Sequence, residues 1–126
     1  MKKFLLIFLV GITSFVNGFA KNQPNHLATS YAVDANGVLW AIMLNEVGRL
    51  QLDKSQDFGK TWRTHRTFDS QDKISAHGEN RPKLVFGPKN EFIITYTKPL
   101  SRPFTGEIRF IRSEDGQTFS DPVTLH

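Results

Sequence analysis

From Lys21 onward, apolar residues recur at every second position or fall in short β-branched runs, and a 3.6-residue period is hard to find. Thr29–Val33 is one such run and Val38–Leu44 another. The Asp34-Ala35-Asn36-Gly37 segment between them reads as a hairpin turn, because Asn and Gly both tolerate positive φ. Arg49–Asp53 alternates cleanly and sets Leu50 and Leu52 on one face. Trp62–Phe68 is mostly polar, which suits an outer edge where charged side chains discourage sheet-to-sheet pairing. A second series follows: Lys83–Phe86, a Gly87-Pro88-Lys89-Asn90 turn, Glu91–Thr97, a proline-bearing loop, and Glu107–Arg112, in which Ile108 and Phe110 share a face. Tyr31 and Tyr96, the two tyrosines of the chain, lie inside these strands and are expected in the core. Short strands separated by turn residues predict an all-β fold.

The first twenty residues follow a different rule. Met1-Lys2-Lys3 gives a positive start, Phe4–Val10 is an unbroken apolar run, and small residues stand at Gly18 and Ala20. That is the layout of a secretory signal peptide cleaved after about Ala20, which places the mature chain in the periplasm or outside the cell. Gly11, Thr13, Ser14 and Asn17 interrupt the run, which stays short of the ~20 apolar residues of a spanning helix, so no membrane association is expected after cleavage.

The two series of strands are copies of one unit. Ser55-Gln56-Asp57-Phe58-Gly59-Lys60-Thr61-Trp62 matches Ser113-Glu114-Asp115-Gly116-Gln117-Thr118-Phe119: both read Ser-x-Asp, Gly-x-Thr, then an aromatic residue, and the second copy lacks one residue before its glycine. The preceding strands align at an offset of 58 and the earlier hairpins at 53, the difference falling in the loop between the second and third strands. The chain therefore divides into a leader, 1–20, a first repeat, 21–76, and a second repeat, 77–126, which stops as its last strand begins. A period of this size means a solenoid or a propeller.

The repeated motif resembles the Asp-box, or bacterial neuraminidase repeat, of sialidase-like β-propellers, where it lies in the turn between the third and fourth strands of a blade. The resemblance implies two four-stranded antiparallel blades of an incomplete propeller, since such rings hold about 4–8 blades. Two blades leave open strand edges and an uncovered apolar face. It also implies that Ser55, Asp57, Gly59, Thr61 and Trp62, with Ser113, Asp115, Gly116, Thr118 and Phe119, are structural rather than catalytic. The aspartate is suited to accept hydrogen bonds from backbone N–H groups and the threonine hydroxyl, and the aromatic residue is expected to pack between sheets.

Sialidases of this kind bind a substrate carboxylate with arginines, whose guanidinium fork matches it. The family's Phe/Tyr-Arg-Ile-Pro signature is missing; Glu79-Asn80-Arg81-Pro82 is the nearest match, which makes Arg81 a candidate substrate-facing residue, and His77 and Glu79 join it because they fall in the link between the repeats, on the face where the resemblance places ligands. Pairing of Arg81 with Glu79 or another nearby carboxylate is the plainer expectation. The resemblance thus implies a non-catalytic exported fragment; an exo-sialidase-type glycoside hydrolase, or a glycan- or protein-binding module using the loops around 77–81 and 98–105, are the alternatives.

Composition narrows the chemistry further. The 126 residues contain no cysteine, which excludes disulfides, thiolate metal sites and a cysteine nucleophile. The net charge of +4 falls to +2 once Lys2 and Lys3 leave with the leader, and no basic run of five or more occurs, so nucleic acid is not an expected partner. Cell-surface carbohydrate is the partner that the resemblance implies. The four histidines, His26, His65, His77 and His126, show no ligand or triad spacing. Asp53-x-Ser55-x-Asp57 begins like a calcium loop, but Phe58 and Thr64 stand where its glycine and final acid belong, so neither metal nor cofactor is expected.

Overall fold

The computed structural model describes residues 28–126; the leader assigned to 1–20, and His26, lie outside them. The described chain is all-β and carries no helix. Eight strands form two four-stranded antiparallel sheets. The first contains β1 (Ser30–Val33), β2 (Leu39–Leu44), β3 (Leu50–Ser55) and β4 (Arg63–Thr67). The second contains β5 (Lys83–Phe86), β6 (Phe92–Pro99), β7 (Gly106–Ser113) and β8 (Val123–Thr124). In each sheet the strands lie side by side in chain order. The polar strand β4 is an outer edge, as its charged side chains require.

The hairpins share one turn design. Asp34 N–H donates to Val38 O (3.0 Å) while Gly37 N–H donates back to Asp34 O (3.1 Å). Asn45–Gly48 and Gly87–Asn90 repeat this pair of bonds. Each turn closes on a residue of positive φ: Gly37 at 79°, Gly48 at 79° and Asn90 at 61°. The expected hairpin is formed, with Gly37 and not Asn36 at positive φ. Asp34 is the reason: its carboxylate accepts from the N–H groups of Asn36 (2.9 Å) and Val38 (3.0 Å), which holds the turn that Gly37 closes.

The sheets are built in the same register. Ser30 faces Ile42 in the first, and Lys83 faces Thr95 in the second, each 53 positions on. Leu39 faces Ser55, and Phe92 faces Ser113, at offsets of 53 and 58. Leu52 faces Arg66, and Phe110 faces Val123, at offsets of 58 and 57. Corresponding residues therefore occupy corresponding positions, and the two faces of each sheet can be named in common. The leading face carries Trp40, Ile42, Leu50 and Leu52 in the first sheet and Ile93, Thr95, Ile108 and Phe110 in the second. The trailing face carries Tyr31, Val33, Leu39 and Ala41 in the first, and Leu84, Phe86, Phe92 and Ile94 in the second.

The core forms where the leading face of the first sheet meets the trailing face of the second. Trp40, Ile42, Leu50 and Leu52 pack against Leu84, Phe92, Ile94, Tyr96 and Ile111, with Phe68 of the connecting segment. The Trp40 ring meets Phe92 edge-on at 4.8 Å and tilts against Phe86 at 6.4 Å, while its indole N–H donates to Asp34 Oδ2 (3.0 Å). Aromatic rings favour such offset and edge-to-face contacts, and a buried indole N–H needs its acceptor. Polar contacts fix the relative position of the sheets: Ser30 Oγ donates to Pro82 O (2.5 Å), and Ala35 N–H to Asn90 Oδ1 (2.8 Å).

One sequence expectation is corrected by this arrangement. Tyr31 is 54% exposed, because its face of the first sheet points away from the second. Ile108 and Phe110 do share a face, but it is the one turned away from the core; Arg109 and Ile111 point inward. Leu50 and Ile108 are thus equivalent in register yet opposite in burial, 0% against 46% exposed. In dilute protein, Leu50→Ala will cost about 2–5 kcal/mol, and Ile108→Ala less than about 1 kcal/mol, by urea denaturation. Equal losses would contradict the packing described.

Candidate functional site

The two Ser-x-Asp segments lie at the same end of the molecule, where β3 and β7 finish. In the first turn, Asp57 Oδ1 accepts from the Ser55 hydroxyl (2.8 Å) and from Thr61 N–H (2.8 Å), and Oδ2 accepts from the Thr61 hydroxyl (2.5 Å). Ser55 Oγ in turn accepts from Gly59 N–H (2.8 Å), and Trp62 Nε1 donates to Gly59 O (3.0 Å). Gly59 sits at φ 85°, a conformation that a side chain disfavours. The Thr61 hydroxyl and N–H, helped by the Ser55 hydroxyl, hold the Asp57 carboxyl down at about 2, against an ordinary 3.8.

The second turn is one residue shorter and is held differently. Asp115 Oδ1 accepts from the N–H groups of Gln117 and Thr118, both at 2.8 Å, and from the Ser113 hydroxyl at 3.2 Å. The backbone donors of Thr118 and Gln117 are the main cause of its lowered pKa. Gly116 is buried with φ 71°, and a Cβ there would lie 2.7 Å from the Phe92 ring. The first sheet also reaches this turn: His65 Nε2 donates to Gly116 O (2.6 Å), and the His65 ring meets Trp40 edge-on at 5.0 Å. A carbonyl only accepts, so Nε2 is the protonated nitrogen. The register of β3 and β4 shifts between Leu52 and Asp53, opposite His65, and this bulge turns the side chain towards the second sheet.

The aromatic residues that end the two motifs also differ. Phe119 packs between the sheets, edge-on to Phe68 (5.1 Å) and Phe92 (5.8 Å). Trp62 does not: it lies against Tyr31 (5.8 Å) on the trailing face of the first sheet. The expectation that it packs between sheets is corrected by the face on which β1 places Tyr31.

The candidate substrate-facing residues stand at the opposite end, in the segment leading into β5. His77, Glu79 and Arg81 are all exposed. Among the described residues, none of their side chains forms a hydrogen bond or ion pair with another, so the expected pairing of Arg81 with Glu79 is not made. Their neighbours carry the local order instead. Asn80 accepts from the Thr97 hydroxyl (2.6 Å) and donates to Ser75 Oγ (3.0 Å), and Pro82 is fully buried. The β6–β7 hairpin tip, with Phe104 at φ 60°, projects from this same end.

A half-buried polar cluster that no sequence motif marks lies on the second sheet. Asp72, whose side chain is 12% exposed, accepts from the Tyr96 hydroxyl (2.7 Å) and from Arg109 Nε (2.9 Å), with Lys98 Nζ at 3.5 Å. Arg109 also donates to Thr124 Oγ1 (2.6 Å) and Pro122 O (2.9 Å). Burial pushes the Asp72 carboxyl up, but the Tyr96 and Arg109 bonds and the two positive charges outweigh it and leave the group below its ordinary value. Burial is likewise the main cause of the raised Tyr96 pKa. The cluster ties the connecting segment to β6 and β7 and holds β8 on β7. Each of its polar groups is engaged, which is the pattern of a structural network. No group of acids and histidines able to hold a metal ion occurs among the described residues.

Comparison of the chain with protein-family models, with curated proteins and with solved structures gives no match.

Two measurements test this geometry. The depressed Asp57 pKa means that its ionised form stabilises the fold fully above about 3.8 and that this contribution is lost as pH falls towards about 2. Asp57→Asn will therefore weaken the protein at neutral pH and flatten the acid side of its stability profile within that window; an unchanged acid limb would contradict the assignment. Tyr96→Phe will cost about 1–3 kcal/mol, because it removes one donor from the half-buried, ionised Asp72 carboxylate. A denaturation midpoint equal to wild type would show that the bond contributes nothing.

Proposed function

We propose that the chain is an exported, sialidase-like Asp-box protein whose two sheets act as non-catalytic propeller blades. The observation that carries this reading is how the carboxylates of the two motifs are used. Asp57 and Asp115 each bind the backbone of their own turn, as a turn-stabilising aspartate does. The equal registers of the two sheets and their sheet-on-sheet packing support the same reading. Arg109, an inward-facing arginine of the second sheet, is committed to Asp72, Thr124 and Pro122 and is not free to grip a substrate carboxylate.

The exposed loops favour a second reading, a glycan- or protein-binding surface. Residues 77–81 and the hairpin tip at 100–105 share the end opposite the Asp57 and Asp115 turns. They present Phe104, Leu100, Arg102 and Arg81 to solvent. An exposed aromatic ring at an end that also carries cations suits the apolar face of a sugar or an acidic group on it.

A fluorogenic sialoside assay of the purified chain decides between a non-catalytic protein and a glycoside hydrolase. The expected outcome is no turnover above buffer at high protein concentration. Turnover that falls at least tenfold in Arg81→Ala would overturn the proposal and assign Arg81 to substrate binding.

A further inference from the structure

The two sheets meet through unlike faces, and the second sheet leaves its leading face open. In the first sheet, Leu50 on that face is 0% exposed, because the second sheet covers it. In the second sheet, its equivalent Ile108 is 46% exposed, and Val85 and Val123 on the same face are 55% and 53% exposed. At the other side of the molecule, the trailing face of the first sheet exposes Tyr31 (54%) and Val33 (58%). Their equivalents in the second sheet, Leu84 and Phe86, are the side chains that close the interface within the chain. Five large apolar side chains therefore stand exposed on two faces whose counterparts are already mated to each other inside the molecule.

We propose that these faces bind one another between copies of the chain. Tyr31 and Val33 of one copy seat on Val85, Ile108 and Val123 of the next, as Leu84 and Phe86 seat on the leading face of the first sheet within the chain. The occupant is a second copy because the chain presents both halves of the contact, and the interface between its own sheets shows how such halves fit. The association is head to tail rather than two-fold, since the two patches differ. It continues to further copies until the rotation between copies closes a ring. The two faces match whether or not the sheets act as propeller blades.

The test is the mass of the purified chain in solution, by sedimentation from about 1 to about 200 µM, a range that reads micromolar affinity. Wild type is expected to form species larger than a dimer as concentration rises. Val33→Lys spoils the trailing face, and Ile108→Lys the leading face; each is expected to remain monomeric with an unchanged circular dichroism spectrum. An equimolar mixture of the two variants keeps one sound interface and is expected to give a dimer and nothing larger. The N-terminal segment is common to all samples, so it cannot cause a loss in each variant and a recovery in their mixture. A wild type that stays monomeric throughout would overturn the proposal. So would association that survives both substitutions, or variants that fail to pair when mixed. Should either lysine variant unfold, the wild-type series and the pair Val33→Thr and Ile108→Thr decide the matter by the same outcomes.

Discussion

The structure depends on one contact, the burial of the leading face of the first sheet by the trailing face of the second around Trp40. A single four-stranded sheet of short strands has only one apolar layer and no means of covering it. The Trp40 ring is large enough to span the gap between the sheets, touching Phe92 and Phe86 on the far side and His65 on its own. Its one polar atom is satisfied by Asp34 from the first turn of the same sheet. The turn that sets the register of β1 and β2 is therefore also the turn that orients the central core side chain. Local hairpin geometry and long-range packing are joined at that residue.

The two aspartate turns show how one sequence pattern is supported by different neighbours. The Asp57 turn is self-contained, with three donors to its carboxylate coming from Ser55 and Thr61. The Asp115 turn does without the threonine hydroxyl and relies on backbone N–H groups. It has gained outside support, since His65 and Arg66 of the first sheet reach its carbonyl groups. One turn stands by its own hydrogen bonds, and the other is part of the interface between the sheets.

Much of the architecture was legible in the sequence because it is local. Strand positions follow from alternation, and the offsets of 53 and 58 reappear in the pairing of the strands. The hydrogen bonds of each aspartate turn connect residues two to four positions apart, within reach of a motif. What sequence could not supply is which face of a strand meets a neighbour. Alternation groups Ile108 with Phe110 but gives no sign that they point outward and Arg109 inward. The Asp72 cluster joins residues 24 and 37 positions apart, and no local spacing announces it. His65 faces the second sheet only because a bulge breaks the alternation that would otherwise predict its direction. Arg81, Glu79 and His77 are candidates by a partial signature and by their place between the repeats, and in the fold they remain separate exposed side chains.

Gly116 carries a consequence of a different kind. Its φ of 71° alone would admit asparagine at modest cost, as the hairpin position of Asn90 illustrates. The Phe92 ring, 2.7 Å from where a Cβ would stand, removes that option. Phe92 in turn is packed edge-on against Trp40, Phe86 and Phe119, so it cannot easily move aside. Mutational drift at the surface turn is thereby restrained by the interior, and a bulkier residue at 116 becomes acceptable only after a smaller one has replaced the phenylalanine, which fixes the order in which the two positions can change.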